Sequence, residues 1–408
     1  MTSIPVDSIS PLTWDELPFL PVSDPSFSVQ SEAVREAREA GWAARTPYGL
    51  AVLRYPQVNK LIKDRRLRQG SWAWPQHNGV EGPFADWWAG WILNMECEDH
   101  ARLRRLLNPA FAPKALQAMA PRFVALANEL VAGFAPSGRC EYVSQFADPY
   151  AARVIAILLG LPEEDWEDVA RVSATIGLAM GVTFREELPR IQAALDELFA
   201  YCDKVIADRR AHPRDDFATA LVQATEDGDR LSEDELRNSM ALMVFGGFDT
   251  TRNQLALAVA TFAQHPEQWA LLAQNPDLGK PAVEEVMRVN PTVTWVTREA
   301  LEDLDFEGLT IPAGTTVHMF SESAGTDQDR YEDPAFDITA EGRAPHFGFG
   351  AGAHHCIGHF IARIDMSVAL PILAARMPDM RIGEGAEQMP LSGNTGFNRL
   401  PLVFTPTN

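Results

Sequence analysis

The stretch Phe349-Gly-Ala-Gly-Ala-His-His-Cys-Ile-Gly358 places the thiol of Cys356 in a glycine-rich loop. Gly350, Gly352 and Gly358 carry no side chain, so the backbone can approach a flat ligand closely. Successive free N–H groups in such a loop can hydrogen-bond a thiolate sulfur. A soft thiolate in a tight loop suits iron. The stretch therefore predicts that Cys356 binds the metal of a flat cofactor.

The residues of this stretch also suggest a nucleotide site or a zinc site. The glycines within 348–352 superficially match a dinucleotide fingerprint, but that motif needs a flanking strand and helix, and Pro345 and Cys356 interrupt such a context. His354, His355 and Cys356 suggest zinc, although zinc sites usually repeat Cys or His at short spacings, and the sequence contains no Cys-x-x-Cys. Iron is favoured over both.

Composition limits the class of protein. The 408 residues are 46% hydrophobic and 22% charged, as in a globular protein with a sizeable core, and the lack of repeats or long linkers favours one domain over residues 1–408. Residues 1–7 show no signal peptide or membrane anchor, and the four cysteines are scattered, so we expect a cytoplasmic protein. The net charge of −21 argues against nucleic acid or an anionic membrane as a partner.

Helical periodicity covers most of the chain, and Pro or Gly punctuates it. The pattern predicts helices over residues 113–134, 144–161, 187–210, 216–225 and 232–264. Strand signals are confined to residues 50–54, a hairpin within 304–317, and 400–404. The expected fold class is mainly α with small β-sheets.

The predicted helix over residues 232–264 carries Gly246 and Gly247 in its middle, where glycine weakens helix propensity. Small residues here would let a flat ligand lie against the backbone. The side chains of Asp249 and Thr250, which follow, can open the helical hydrogen-bond ladder. Taken alone, the segment is equally well explained as a buried helix with a kink. The cysteine loop shifts the balance toward a ligand site.

Together these segments resemble the cytochrome P450 monooxygenases. Residues 349–358, followed by Ala362 and Arg363, match the family's haem-binding loop, and Gly246-Gly-Phe-Asp-Thr250 matches its oxygen-activation motif. The resemblance implies the P450 fold, a single large domain with haem b between the long helix and the cysteine loop, and Cys356 as the axial iron ligand. It also implies that Thr250 and Asp249 supply the hydroxyl and the protons needed to cleave the O–O bond.

The resemblance extends to residues around the cofactor. Haem carries two propionates, so its pocket needs cationic or hydrogen-bonding groups along one edge. The matching positions are His100, Arg104, Arg298 and His354, and the residues expected against the haem are Gly246, Phe349, Gly350 and Gly358. For His100 and Arg104, four residues apart on one predicted helix, a solvated basic face is the competing explanation.

Glu285 and Arg288 are three residues apart and therefore share one helical face. Most isolated pairs of this kind are solvated, but the resemblance implies a buried pair that supports the fold near the haem. The family often adds a third, basic partner before the aromatic residue of a later Asp-Pro segment. This chain has Ala335 there, and Arg343 is the candidate replacement.

Aromatic residues are concentrated in residues 69–94, a glycine- and proline-punctuated region that roofs the substrate pocket in the family. The candidate pocket residues are Trp87, Trp88, Trp91, Leu242, Phe245, Thr294 and Phe397. Their character predicts a small, largely apolar or aromatic organic substrate held mainly by shape. For any single tryptophan, packing of the loop onto the body is the competing explanation.

The expected activity is insertion of one atom of O2 into this substrate by hydroxylation, O-dealkylation or epoxidation. The length leaves no room for an appended redox domain, so the resemblance implies electrons from NAD(P)H through a reductase and a ferredoxin. Arg102, Arg105 and Arg363 would then form a basic docking patch, with scattered solvated arginines as the competing explanation. A peroxide-driven peroxygenase or a non-catalytic haem sensor would not need Asp249 and Thr250.

Overall fold

The computed structural model describes residues 13–24, 26–181, 183–226 and 229–407. Residues 1–7, for which neither a signal peptide nor a membrane anchor is expected, lie outside these ranges. Within them, every helix is too short or too polar to cross a bilayer. One domain over residues 1–408 stays a prediction.

Helices make up most of the described chain, which confirms the predicted fold class. In chain order the α-helices are α1 Glu32–Ala40, α2 Tyr55–Leu61, α3 Trp74–His77, α4 Pro83–Ala89, α5 Cys97–Leu107, α6 Pro113–Gln117, α7 Ala120–Ala132, α8 Asp148–Leu159, α9 Trp166–Gly177, α10 Phe184–Ala211, α11 Phe217–Val222, α12 Glu233–Ala263, α13 Pro266–Gln274, α14 Gly279–Val289, α15 Ser321–Gly325 and α16 His359–Arg376.

The strands are short and form small sheets. They are β1 Ala43–Thr46, β2 Gly49–Val52, β3 Leu67–Gln69, β4 Arg139–Glu141, β5 Thr225–Glu226, β6 Asp229–Arg230, β7 Trp295–Ala300, β8 Leu304–Phe306, β9 Leu309–Ile311, β10 Thr316–Phe320, β11 Arg381–Ile382, β12 Glu387–Gln388, β13 Phe397–Arg399 and β14 Pro401–Val403. The largest sheet has the order β1-β2-β10-β7-β3, and a second sheet has the order β11-β14-β4. The remaining strands pair as β5-β6, β8-β9 and β12-β13.

Prolines explain where the observed helices differ from the predicted ones. The helix predicted over residues 113–134 is divided into α6 and α7, and Pro121 lies in the first turn of α7, where its missing N–H is tolerated. The start of the helix predicted over residues 144–161 is helical but not α-helical: Val143–Ala147 forms a π-helical turn, and α8 follows from Asp148 with Pro149 in its first turn.

The hairpin predicted within residues 304–317 is also shorter than expected. It consists of β8 and β9 alone, whereas Val317 belongs to β10 and pairs with Arg298 of β7 and Leu50 of β2 in the large sheet. The pairing of β10 with β2 joins residues that are far apart in the sequence, so no local sequence pattern could predict it.

The long helix α12 begins with a capping box. The Ser232 hydroxyl accepts a hydrogen bond from the Glu235 N–H, and the Glu235 carboxylate accepts one from the Ser232 N–H. Two of the otherwise unpaired groups at this helix end are thereby satisfied. The helix then packs against α8, α9 and α10 and is buried along most of its length. It forms one wall of the cavity described below.

Candidate active site

A cavity of about 990 Å³ lies between α12 and the loop that precedes α16. This location is the one expected for the cofactor. The cavity wall includes most of the predicted site residues: Trp88, Trp91, His100, Arg104, Leu242, Phe245, Gly246, Asp249, Thr250, Arg298, Phe349, Gly350, His354, Cys356 and Gly358. Segments that are far apart in the sequence therefore meet at one site.

Three predicted pocket residues take no part in the described wall of this cavity: Trp87, Thr294 and Phe397. Trp87 packs against Trp91, with ring centroids 4.8 Å apart, and against Phe199. Thr294 and Phe397 are buried, at 1% and 6% exposure. The sequence placed these residues in the right region but could not separate wall positions from the layer behind them.

The cysteine loop is shaped by backbone hydrogen bonds. The Cys356 N–H donates to the Phe349 carbonyl at 2.9 Å, and the Gly350 N–H donates to the Phe347 carbonyl at 2.8 Å. Gly350 has a φ of 64°, in the left-handed region that favours glycine. Cys356 is half-buried at the cavity wall. The loop therefore presents the sulfur to the cavity.

Opposing effects act on the Cys356 thiol. Burial raises its pKa, while a hydrogen bond from the Gly358 N–H and the positive charges of Arg104 and Arg363 lower it. A bound metal cation would also lower the pKa of this thiol and favour the thiolate. Across the described residues, no three His, Cys, Asp or Glu side chains are grouped so as to hold a metal ion, so the geometry does not support the zinc interpretation of His354, His355 and Cys356.

Basic groups converge on one part of the cavity wall. The rings of His100 and His354 lie 4.2 Å apart, and Arg298 donates to the Gln69 side-chain oxygen at 2.6 Å. Burial lowers the pKa of Arg298 to about 10, and burial together with neighbouring positive charge lowers the pKa of His100 to about 4. His354 lies 3.3 Å from the Glu96 carboxylate. Glu96 is the carboxylate that acts on this group, since its charge also raises the pKa values of Arg298 and His100 against the effect of burial. Two histidines and two arginines therefore face the cavity beside one carboxylate, which fits an anionic ligand.

The residues present fit haem b. A thiol stands in a loop that can hydrogen-bond its sulfur, and the basic cluster offers partners for two propionates. Gly246 supplies open space on the opposite wall, since a Cβ there would meet only the Leu242 side chain, at 3.3 Å.

The neighbouring Gly247 also lies in the cavity wall, and it has a second role in helix packing. A Cβ at this position would lie 2.3 Å from Cδ1 of Ile155 on α8. Gly247 therefore allows α12 and α8 to pack closely, whereas Gly246 leaves room in the cavity. The sequence alone could not assign separate roles to Gly246 and Gly247, because Ile155 is distant along the chain.

Asp249 and Thr250 both contribute to the cavity wall, on an uninterrupted helix. The Thr250 hydroxyl donates to the Gly246 carbonyl at 2.8 Å, one turn earlier. Asp249 is 3% exposed, and burial raises its pKa. The side-chain amide of Asn394 donates to Asp249 at 3.3 Å, and Asn394 also lies in the wall. Asn394 was not found from the sequence, since it carries no motif and follows Asp249 by 145 residues.

Glu285 and Arg288 form a buried ion pair, at 4% and 1% exposure, and the Arg288 Nε lies 2.7 Å from Glu285 Oε2. Arg343 is the third partner, with Nη2 3.2 Å from Glu285 Oε1. Both arginines also donate to the carbonyl of Ala335 at 2.9 Å. The backbone of Ala335 thus takes part where the family often places a basic side chain.

The arginines expected on the thiolate side already have carboxylate partners in two cases. Arg102 pairs with Asp229 and Glu235, each at 2.6 Å. Arg363 pairs with Glu284, and its guanidinium lies 4.4 Å from the ring centroid of Phe349 in the cysteine loop. Arg363 therefore braces the loop, and the idea of a basic patch made of free arginines loses support.

Comparison with known proteins shows the family of the chain. A family model described as Cytochrome P450 matches residues 180–374. The chain is 38% identical over 396 residues to the luteothin monooxygenase of Streptomyces thioluteus, covering 96% of this chain and 97% of that protein. It is 35% identical to the mycinamicin IV hydroxylase/epoxidase of Micromonospora griseorubida, covering 88% and 91%. The chain belongs to the cytochrome P450 family, and it is a monooxygenase with haem b as its cofactor.

Solved structures show the same fold. P450BioI, in complex with an acyl carrier protein ligated to hexadec-9Z-enoic acid, superposes with a TM-score of 0.84 at 28% identity, covering 94% of this chain and 98% of that one. CalO2 superposes with a TM-score of 0.84 at 29% identity, covering 94% and 99%.

Proposed function

We propose that this chain inserts one atom of O2 into a small, largely apolar or aromatic organic substrate bound in the cavity, with electrons from NAD(P)H through a reductase and a ferredoxin-type protein. The observation that carries the proposal is that the acid Asp249 and the alcohol Thr250 lie in the wall of the same cavity as the Cys356 thiol. When bound, haem would supply the iron at which oxygen is activated, and the Cys356 thiolate would donate electron density to that iron.

The protein's own residues have distinct tasks in this proposal. Cys356 would hold the iron, and the Gly358 N–H hydrogen-bonds the sulfur. Four basic residues hold the propionates: His100, Arg104, Arg298 and His354. Gly246, Phe349, Gly350 and Gly358 leave space for the flat macrocycle or line it. Together these residues would hold the cofactor between the cysteine loop and α12.

Asp249 and Thr250 handle protons on that side. The Thr250 hydroxyl gives its hydrogen to the Gly246 carbonyl, so its lone pairs can accept a hydrogen bond from a group in the cavity. Burial raises the pKa of Asp249, so this carboxyl is protonated over a wider pH range than an exposed one and can act as a proton donor. Asn394 holds the carboxyl in place.

The walls support an apolar or aromatic substrate. Trp91 and Phe245 stack with centroids 5.7 Å apart, and Trp88 and Leu242 extend this surface. One relative is named a hydroxylase/epoxidase and another an N-oxygenase, so the fold supports more than one kind of oxygenation. Hydroxylation, epoxidation and O-dealkylation are all compatible with this cavity.

A peroxide-driven peroxygenase is the second candidate. Peroxide brings its own electrons and protons, so the retained acid–alcohol pair favours the O2 route. The net charge of −21 supports an enzyme without nucleic-acid or anionic-membrane partners. A cytoplasmic location stays a prediction.

The first test is the carbon monoxide difference spectrum of the reduced protein, for wild type, Cys356→Ser and the exposed-cysteine control Cys97→Ser. We expect a strongly red-shifted Soret band in wild type and in the control, and its loss in Cys356→Ser. NADH consumption with a ferredoxin and its reductase, compared with turnover on hydrogen peroxide alone, then separates the two routes. Turnover on peroxide alone, with none through the ferredoxin, would overturn the proposed electron route.

A further inference from the structure

The cavity extends to side chains of the large sheet, and of the turn between β1 and β2, that the proposed chemistry does not use: Trp295, Thr297 and His318 on strands and Tyr48 in the turn. His318 of β10 lies directly opposite Thr297 of β7, so both side chains emerge on one face of the sheet. Arg298, the next residue of β7, alternates to the other face. The group around His318 is therefore distinct from the basic cluster assigned to the propionates.

His318 is 8% exposed, and only one of its ring nitrogens has a partner. Nδ1 lies 3.4 Å from the Thr297 hydroxyl oxygen. Nε2 is buried and makes no hydrogen bond with the described residues. A buried polar atom is normally paired. An unpaired one on a residue that lines a cavity points to a ligand that pairs it.

The surroundings of His318 define what such a ligand contains. The centroid of the Trp295 ring is 5.2 Å from that of the imidazole, and the Tyr48 ring is 6.5 Å away in an edge-on arrangement. These two aromatic side chains add apolar surface next to the imidazole. Burial lowers the pKa of His318 to about 4, so the ring is neutral near pH 7 and attracts no carboxylate by charge. A neutral imidazole offers one donor or acceptor to a hydroxyl or carbonyl oxygen.

We propose that His318 Nε2 hydrogen-bonds a hydroxyl or carbonyl oxygen carried by a ring of the substrate, and that Tyr48 and Trp295 flank this ring. The inference rests on the proposed function, because it assigns a further part of the same cavity to the substrate. It narrows the substrate to an elongated molecule. An apolar part lies near Thr250, and an oxygen-bearing ring lies against the sheet.

The test uses two matched series of imidazole probes, whose azole nitrogen binds the haem iron and whose alkyl tails of increasing length end in a 4-hydroxyphenyl or a 4-methylphenyl group. The two end groups are nearly equal in size. Absorbance titration of the haem protein gives each Kd. At one tail length we expect the hydroxyl probe to bind about 3- to 10-fold tighter than the methyl probe, the range for one added hydrogen bond.

Variants identify the partner of the probe hydroxyl. His318→Phe keeps an aromatic side chain and is expected to bring the ratio of the two Kd values to about 1, whereas His318→Gln keeps part of the preference, since it retains a hydrogen-bonding group. His77→Phe is the matched control, because His77 also lies in the cavity wall but is exposed. Its ratio should equal that of wild type.

The outcomes separate this inference from the proposed function. If the wild-type protein shows no red-shifted carbon monoxide band, the proposed function is wrong. An intact band with equal binding of both probes at every tail length would overturn only the role of His318. This comparison uses the wild-type protein alone, so it does not depend on whether any variant folds. If His318→Phe instead weakens haem retention and leaves the probe ratio unchanged, Nε2 serves a propionate and the inference is wrong.

Discussion

The side-chain amide of Asn394 lies 3.3 Å from the Asp249 carboxylate, so a loop near the C-terminal end of the chain holds the acid of the central helix. Both residues are in the cavity wall. A substrate that touches this loop therefore also touches the group that fixes the orientation of Asp249. The acid and its anchor come from segments with no local relationship in the sequence.

Replacing Asn394 by Leu is expected to impair proton delivery without loss of fold. The hydrogen bond from Asn394 lowers the pKa of Asp249, against the larger opposing effect of burial, so its removal raises this pKa further. Where the pH–rate profile rises because the Asp249 carboxyl ionises, that rise should move to higher pH. We also expect several-fold more hydrogen peroxide released per NADH oxidised, by analogy with the size of general acid–base effects. Peroxide assays across pH measure both.

Asn78→Leu is the control for this prediction. Asn78 lies in the same cavity wall, but its amide donates to the Trp74 carbonyl at 2.8 Å. Equal peroxide release by the two variants would show that the Asn394 contact has no special effect on Asp249.

The Glu285–Arg288 pair should contribute far more to stability than its spacing suggests. Arg288→Leu leaves a buried carboxylate with one remaining cationic partner and is expected to cost about 3–5 kcal/mol. The Glu187–Arg190 pair has the same spacing, but its side chains are 29% and 66% exposed. Arg190→Leu should change stability by less than about 1 kcal/mol. Urea unfolding of both variants gives the comparison, and similar losses would contradict it.

Arg343→Leu tests the third partner of the same cluster. Its side chain is 19% exposed, and Glu285 keeps Arg288 when it is removed. The expected loss in unfolding free energy is therefore smaller than for Arg288→Leu. An equal loss would mean that the two arginines act as one unit.

Gly247→Ala is expected to destabilise the protein, because its Cβ would lie 2.3 Å from Ile155 Cδ1 in the core. Overpacking of this kind costs about 1–3 kcal/mol. Ile155→Val removes the clashing methyl group and should restore part of the loss in the double variant. Gly246→Ala has only a 3.3 Å contact with Leu242 and should be tolerated, while changing the affinity of cavity ligands. Thermal unfolding and azole titration distinguish the two glycines. Full tolerance of Gly247→Ala in the wild-type background would contradict the packing role.

Glu284 should make stability depend on pH in the acid range. Burial alone would raise its pKa, but hydrogen bonds from His346 and Arg363 lower it to about 2, from an ordinary value of 4.5. A depressed pKa adds stability that is present above pH 4.5 and is lost as the pH falls toward 2. The difference in unfolding free energy between wild type and Glu284→Gln should therefore be largest above pH 4.5 and shrink below it. A difference independent of pH would contradict the assignment.

The same variant should loosen the cysteine loop, since Arg363 lies between Glu284 and Phe349. We expect a larger fraction of Glu284→Gln to lose the red-shifted carbon monoxide band on mild heating. Arg363→Gln should have a similar effect if the brace acts through this arginine.

The sequence by itself determined the chemistry of this protein. Cys356 in its glycine loop, the Gly246–Thr250 motif and the amphipathic helices are local patterns, because thiolate ligation, backbone approach and helix periodicity each depend on residues close in the chain. The tertiary structure decided which residues share a wall. It separated Gly246 from Gly247 through Ile155, brought Arg343 to Glu285, moved Trp87, Thr294 and Phe397 behind the cavity surface, and joined Asn394 to Asp249. These relationships depend on packing between distant segments, where side-chain shape and burial act and sequence spacing carries no information.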